Sequence, residues 1–469
     1  MERMNGKLMG AAAVLLLCAA TAGAQRRDTL RVFDEVTFYD GYQETVVDAD
    51  VDDGVLRHSN SLYAVKLPAT VPVAEGDSLV MTVSVRACCD NYDRIGNVNL
   101  ALVPRGAGSY RPEEVQRIEL GRFVTPFMDR NRQPDEVVYR YDAGFLGCIL
   151  RDRVLRRRYD LWMEMELFGV PYAAQKQVAG CEGRTDTFEG TVELSSCPRK
   201  RRAPARTGHV LVPVVCKRPG TYGGNLNNYD SAATDTLGRT VKSWTFEVPR
   251  TVEDGQIVLI TSNHGANEGG EEYSRRWHYV YVDGELVTTY MPGRPTCEPF
   301  RRLNTQGNGI YGRSPKPDYV WQSFSNWCPG DRIDNRILEL GRVEAGVHRL
   351  TVSVPEARFA GGQGDIPVSA FFQGVEHGRL PASTEGPVVG GTERLAEVSL
   401  EGAVLRMMAT EASGPVGAVE LCAADGRRVL WSEHATPVDL AAFPAGVYLL
   451  NLYFADGRVE THRVEWAPR

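Results

Sequence analysis

The chain has 469 residues, 43% of them apolar, with 47 glycines, 26 prolines and a formal net charge of −7 at pH 7. That apolar content is enough to pack the cores of roughly three domains, and the acidic balance argues against nucleic acid as a partner. The local basic runs Arg156-Arg157-Arg158 and Arg199-Lys200-Arg201-Arg202 read as a solvated strand end and a linker.

The first residues combine Arg3 and Lys7 with an apolar run over 8–20 and small residues at Ala22 and Ala24, which predicts a secretory signal peptide over 1–24. The run falls short of the roughly 20 residues that span a bilayer. No later segment is apolar enough, so no membrane span is expected. Export would place the remaining nine of ten cysteines in an oxidising compartment, where most pair. The odd count leaves at least one free, with one of the adjacent Cys88 and Cys89, or Cys422, as candidates.

Strand patterns dominate from there on. Leu79, Met81, Val83 and Val85 alternate with polar or small residues, the period-two pattern of a half-buried strand, and residues 95–103 continue as another. Val280 to Val287 reads as a hairpin about Asp283-Gly284, and the same dipeptide recurs at Asp425-Gly426 and Asp456-Gly457. Many short strands with Gly and Pro between them predict an all-β protein built from sandwiches, jelly rolls or barrels. The basic stretch 198–206 and the Gly/Pro/Ser/Thr-rich stretch 378–394 predict linkers, dividing the chain into pieces at 27–200, 205–377 and 395–469.

Three carboxylate constellations could carry chemistry. In Cys89-Asp90-Asn91-Tyr92-Asp93-Arg94 the acids precede a strand, where turn or capping roles are the ordinary ones. In Leu161 to Phe168 one face carries Leu161, Met163, Met165 and Leu167, a core face. The other carries Trp162, Glu164, Glu166 and Phe168. Two carboxylates between two aromatics suit a sugar-binding surface, and a solvent face with stray aromatics fits equally well. The third follows the apolar strand 256–260. A glycine-rich loop with His264 leads into Glu271-Glu272-Tyr273-Ser274-Arg275-Arg276-Trp277-His278. As a strand, this stretch would set Glu272, Ser274, Arg276 and His278 on one face, about 6.5–7 Å apart. A metal site from His264, Glu268, Glu272 and His278 has no recognised ligand spacing.

Together these segments resemble the peptide-N-glycosidase F family. The resemblance rests on Cys-Asp-Asn-Tyr-Asp-Arg-Ile-Gly-Asn-Val at 89–98, on Ile-Glu-Leu-Gly-Arg-Phe-Val-Thr-Pro-Phe at 118–127 and on Trp-Cys-Pro-Gly at 327–330, in order over about 27–377. It implies two side-by-side jelly-roll β-sandwiches with the site between them, and hydrolysis of the amide joining N-acetylglucosamine to asparagine. It maps catalytic roles onto Asp93, Glu272 and Glu166, and substrate contacts onto Arg94, Arg276, Tyr92, Tyr273, His264 and Trp327. It implies no metal or cofactor, N-glycosylated proteins or glycopeptides as substrates, a monomer, and a disulfide between Cys297 and Cys328.

The sequence also departs from the family. Gly270 and Ser274 stand where a disulfide brackets the catalytic glutamate, and Tyr92 and Tyr273 replace tryptophans. The arginine expected shortly before Trp327 is replaced by Phe324 or a neighbour. A glycan-binding protein without catalysis is therefore the alternative reading, and the eight histidines are too scattered for a copper monooxygenase. The tail over 395–469 reads as a small Ig-like β-sandwich. Its block Val438 to Leu450 and terminal strand 461–464 resemble a type A sorting domain of type IX secretion. That resemblance implies the secretion machinery as a partner and the outside of a Gram-negative cell, by way of the periplasm, as the destination.

Overall fold

The computed structural model describes residues 28–467 except 44–52, 70, 72–77, 152–154, 198–208, 218–225, 228–239, 267–269, 307–309, 323–325, 360–363, 376–395, 410–414, 424–427, 433, 435–436 and 455–458. The signal peptide, both linkers, Phe324 and the Asp425-Gly426 and Asp456-Gly457 turns lie outside the described residues. The chain divides into compact units at 1–380 and 381–469. No helix among the described residues is long and apolar enough to cross a membrane.

The first unit contains two β-sandwiches. In the first, Asp28–Tyr39, Asp186–Cys197, Ser78–Ala87 and Glu136–Asp142 form one sheet in that order. The other sheet runs Gln116–Val124, Ile95–Pro104, Tyr159–Leu167, Leu62–Lys66 and Val55–Ser59. In the second, His209–Val215, Val368–Val375, Val252–Thr261 and Arg336–Val343 face Val241–Val248, Gly346–Ser353, His278–Val282 and Glu285–Tyr290. Among the described residues, with Val55–Ser59 and the two-residue strands Leu226–Asn227 and Asp365–Ile366 set aside, each sandwich has eight strands. Counted along the chain, both show the orders 1-8-3-6 and 2-7-4-5, the jelly-roll arrangement.

The expected hairpin is present: Asp283 and Gly284 adopt φ of 51° and 87° between His278–Val282 and Glu285–Tyr290, as a type I′ turn requires. Met81, Val83, Met163 and Met165 sit in the first core, and Ile257, Leu259 and Phe372 in the second.

The two sandwiches are fused. Val258 and Phe371 of the second pack into the first core. The short strand Arg332–Ile333 adds to the edge of Gln116–Val124. Consequently the outer face of Tyr159–Leu167 is neither solvent nor an open surface. Trp162 packs with Ala64, Ala101 and Val103. Glu164 is buried and accepts hydrogen bonds from Asn99, Tyr110 and Arg117. Glu166 pairs with Lys217 of the second sandwich, Nζ to Oε2 at 2.7 Å.

An irregularity makes the seam possible. Val98 faces Gly121 while the next residue, Asn99, faces Glu119, so Leu120 is an extra residue in its strand. This β-bulge brings Glu119 and Arg122 to one face, although three residues apart they would alternate in a regular strand. Gly121 is needed beside it because a Cβ there would meet the Tyr141 ring at 2.6 Å. Arg122 then grips Glu119 with two bonds of 2.7 Å, donates to Ser262 Oγ and the Pro367 carbonyl at 2.8 Å, and is fully buried. Burial works against ionising Glu119, but Arg122 outweighs it and holds the carboxyl below its usual range.

The second unit is a small β-sandwich. Ala396–Glu401, Val404–Ala409 and Val438–Asp439 form one sheet, and Arg428–Ser432, Val416–Ala423, Gly446–Phe454 and Val459–Trp466 the other, over a core that includes Leu405, Leu421, Leu450 and Trp466.

Candidate active site

Asp90 organises the segment before the strand Ile95–Pro104. Its buried carboxylate accepts the Tyr92 backbone N–H at 3.0 Å, Arg94 Nε at 2.6 Å and the Val170 N–H at 2.6 Å. Thr125 clamps the other side, accepting from Arg94 N–H at 2.7 Å and donating to the Tyr92 carbonyl at 3.1 Å. Cys89 is tied to Cys181 by a disulfide, which the cysteine count did not locate, while Cys88 and Cys216 are free. Asp90 thus has the bonding role expected of a turn acid, whereas Asp93 takes only its own backbone N–H among the bonds that bear on its ionisation. Arg94 stacks over Tyr92, whose ring also meets Phe127.

Glu272 comes from the second sandwich. The expected strand through it is not formed: 271–277 is turn and irregular chain, and the strand begins only at His278. The reason is tertiary. Asn326 donates its amide to the carbonyls of Glu271 and Glu272 at 2.8 and 2.6 Å, and its own N–H goes to Glu272 O, so these groups are unavailable to a ladder. Three glycines close the other side. Gly265 has φ of 107°, and a Cβ there would lie 2.7 Å from Gly364 Cα. A Cβ on Gly270 would collide with the Gly265 carbonyl oxygen. This backbone therefore has no room for a cysteine at 270, and the turn is held by glycine packing and Asn326 instead of a disulfide. Asn326→Ala is expected to lower stability by about 1–3 kcal/mol and kcat by roughly tenfold to a hundredfold. Urea unfolding and steady-state kinetics measure the two effects.

Asp93 and Glu272 meet electrostatically. Burial, then the Glu272 carboxylate, push Asp93 up to about 7 against the pull of Arg94. Burial pushes Glu272, 8% exposed, up to about 7 against bonds from the Tyr273 hydroxyl and the Gly265 N–H. Carboxyls raised in this way can serve near neutrality either as an acid or as a base. Both carboxyls hold protons more tightly folded than unfolded, so their contribution to stability falls as pH rises from about 4 to 7 and is level above. Asp93→Asn is accordingly expected to melt a few degrees above the unsubstituted protein at pH 8 and together with it at pH 4, by calorimetry.

The other sequence-derived residues divide into two groups. Glu166, 4% exposed, lies across the ladder from Asn97, whose Cα is at most about 14 Å from that of Asp93. Tyr273 is exposed with its hydroxyl on Glu272. Arg94 and Arg276, which the resemblance assigns to substrate contacts, pair with the neighbouring Asp90 and Glu271, although Arg94 also acts on Asp93 through space. His264 and Trp327 are buried: His264 bonds Ser262 Oγ at 2.7 Å and burial pushes it down to about 3, and Trp327 donates to the Asn263 carbonyl at 2.9 Å. His278 stacks on Tyr290, apart from His264, and no metal-binding group of side chains forms among the described residues. Cys297 and Cys328 are disulfide-bonded, as the resemblance implied. Sequence reasoning missed Asp365, whose buried carboxyl has no hydrogen-bond partner among the described residues and is pushed up to about 7 by burial, against Arg122 and Lys217. No periodic pattern marks it, because it pairs with His264 through the backbone alone.

Two family models match this part of the chain: "Peptide-N-glycosidase F, N terminal" over residues 29–184 and "Peptide-N-glycosidase F, C terminal" over 228–373. Together they span well over half of it. The chain belongs to the peptide-N-glycosidase F family. Asp93 falls within the N-terminal match and Glu272 within the C-terminal one. Among solved structures, two crystal forms of PNGF-II are similar at 20% identity with TM-scores of 0.56 and 0.55. Each match covers 75% of this chain, which spans 66% and 65% of the PNGF-II chains, so the likeness is one of fold. PNGase F of Flavobacterium meningosepticum, described as a glycosylasparaginase, is 16% identical at a TM-score of 0.48, over 75% of this chain and 96% of its own. No curated protein matches the chain.

Proposed function

We propose that the chain is a peptide-N-glycosidase that hydrolyses the amide between N-acetylglucosamine and an asparagine side chain, releasing the glycan and leaving aspartate. The observation that carries this reading is that the buried Asp93 feels the Glu272 carboxylate, one acid from each sandwich, with both carboxyls pushed up to about 7. An amide nitrogen leaves poorly unless protonated, so the reaction needs a base for water and an acid for the leaving group at the same pH. Ionised Asp93 takes a proton from water as its oxygen bonds to the side-chain carbonyl carbon. Protonated Glu272 gives its proton to the nitrogen as the carbon–nitrogen bond breaks. The products are a carboxyl group and a glycosylamine, which then hydrolyses to the free sugar. Tyr273 steadies Glu272 through its hydroxyl. Glu166, paired with Lys217, fixes the sugar end from the seam, and no metal or cofactor takes part in this scheme. Arg94 and Arg276 act here by holding Asp90 and Glu271.

The substrates in this reading are N-glycosylated proteins or glycopeptides met outside the cell, reached with the 1–24 signal and the sorting-type tail, and the protein works as a monomer. The test is a denatured N-glycoprotein incubated with the full chain. Release of intact free glycans is expected, and retention of every glycan between pH 5 and 9 contradicts the proposal.

A further inference from the structure

Two large aromatic rings stand in solvent, joined through Val170 to the segment that carries Asp90 and Arg94. Tyr42 is 62% exposed and Tyr172 48%. Their planes lie within 14° of parallel with centroids 6.5 Å apart, and the Phe168 edge meets Tyr42 at 5.2 Å. Asp40, fully buried, holds the Tyr172 ring and the Tyr42 backbone: Oδ2 accepts the Tyr172 hydroxyl at 2.6 Å and Oδ1 the Tyr42 backbone N–H at 3.1 Å. Gly41 is a glycine because a Cβ would strike the Phe168 ring at 2.5 Å, and its N–H bonds the Gly169 carbonyl. Fixing exposed rings costs side-chain entropy without burying them, so the arrangement yields little stability of its own.

The rings are also joined to the candidate catalytic segment. Val170, between Phe168 and Tyr172, donates to Asp90, which holds Arg94 next to Asp93. Arg94 lies within electrostatic reach of Tyr42. Phe168 follows Glu166 by two residues at the end of Tyr159–Leu167, so the rings continue the side of the site assigned to sugar.

We propose that Tyr42 and Tyr172 form an outer carbohydrate subsite, in which the C–H faces of sugars beyond the innermost N-acetylglucosamine stack on the two rings. This rests on the amidase reading for its direction along the substrate. Exposed flat rings, with the Tyr172 hydroxyl tied to Asp40, match the apolar face of a pyranose. An exposed aromatic face within electrostatic reach of a guanidinium suits a neutral, hydroxylated ligand better than an aliphatic side chain.

The test compares one peptide carrying either a complete N-glycan or a single N-acetylglucosamine. Tyr42→Ala is expected to raise KM about tenfold or more on the complete glycan, to leave kcat within about twofold, and to leave the single-sugar substrate unchanged. Tyr42→Trp should restore KM. Titration of the free oligosaccharide by calorimetry should show the same loss of affinity in Tyr42→Ala. Equal losses on both substrates, as a peptide-binding or merely structural role would give, or no loss on either, overturn the subsite. If the unsubstituted chain converts neither glycopeptide, the amidase reading fails. The titration then decides the subsite alone: weaker binding in Tyr42→Ala supports it, and unchanged or absent binding overturns it.

Discussion

Asp93→Asn is expected to lower kcat on an N-glycosylated peptide by about 10²–10⁴-fold, the range in which a positioned acid or base contributes. The substitution is nearly isosteric, and among the described residues the Asp93 carboxyl is bonded by its own backbone N–H. Asp90 and Thr125 hold the backbone on either side, so the expected loss is chemical, with the fold retained. KM should change little, because the carboxylate acts on water and not on the sugar. The pH profile separates this from a structural effect. With Asp93 and Glu272 both displaced to about 7, the unsubstituted protein should show a bell-shaped kcat/KM centred near neutrality. The variant's residual rate should lose the limb that reports the base. A variant retaining full activity would remove Asp93 from the mechanism.

The second large effect falls on stability. Arg122→Met should destabilise the first unit by about 3–5 kcal/mol, because it leaves the Glu119 carboxylate buried without its counter-charge. Arg122 also joins the sandwiches through Ser262 and Pro367, so the loss should be accompanied by a lower kcat as the two halves of the site separate. Glu119→Gln with Arg122→Met should recover most of the stability, since burying no charge costs less than burying one unpaired. Denaturant unfolding of the single and double variants measures both. A single variant within about 1 kcal/mol of the parent would show that Glu119 is neutralised in some other way.

The jelly-roll strands were legible where one face meets a core and the other a different environment. Leu79 to Val85 alternates, and its inward residues are the buried ones. The Asp283-Gly284 turn was legible because positive φ at two successive residues restricts the residue types. The acids of the site were visible as unusual residues, but their meeting was not. Asp93 and Glu272 are 179 positions apart, and nothing in a period-two pattern brings two sandwiches together. The family resemblance supplied that step.

Other features were hidden for specific reasons. The outer face of Tyr159–Leu167 reads as polar, yet it is buried because Arg117 and Lys217 neutralise Glu164 and Glu166. The Glu119–Arg122 pair has a spacing that regular strands forbid, and only the bulge at Leu120 permits it. The strand expected through Glu272 failed because Asn326, 54 residues further on, takes its carbonyls. Alternation also suggested that Arg276 would attend Glu272, whereas a turn lets it reach Glu271. The disulfide of Cys89 could not be told from one of Cys88 by spacing, since neighbours differ only in the direction of their side chains.

The central claim is that Asp93 and Glu272 cleave an amide by adding water to its carbonyl carbon. The direct measurement is mass spectrometry of an N-glycosylated peptide after incubation with the full chain in ¹⁸O-labelled water. The account predicts that the glycosylated asparagine becomes an aspartate carrying one heavy oxygen, that the whole glycan is released, and that Asp93→Asn and Glu272→Gln suppress this conversion. A peptide that keeps an N-acetylglucosamine on its asparagine, or that remains intact while bound, would contradict it.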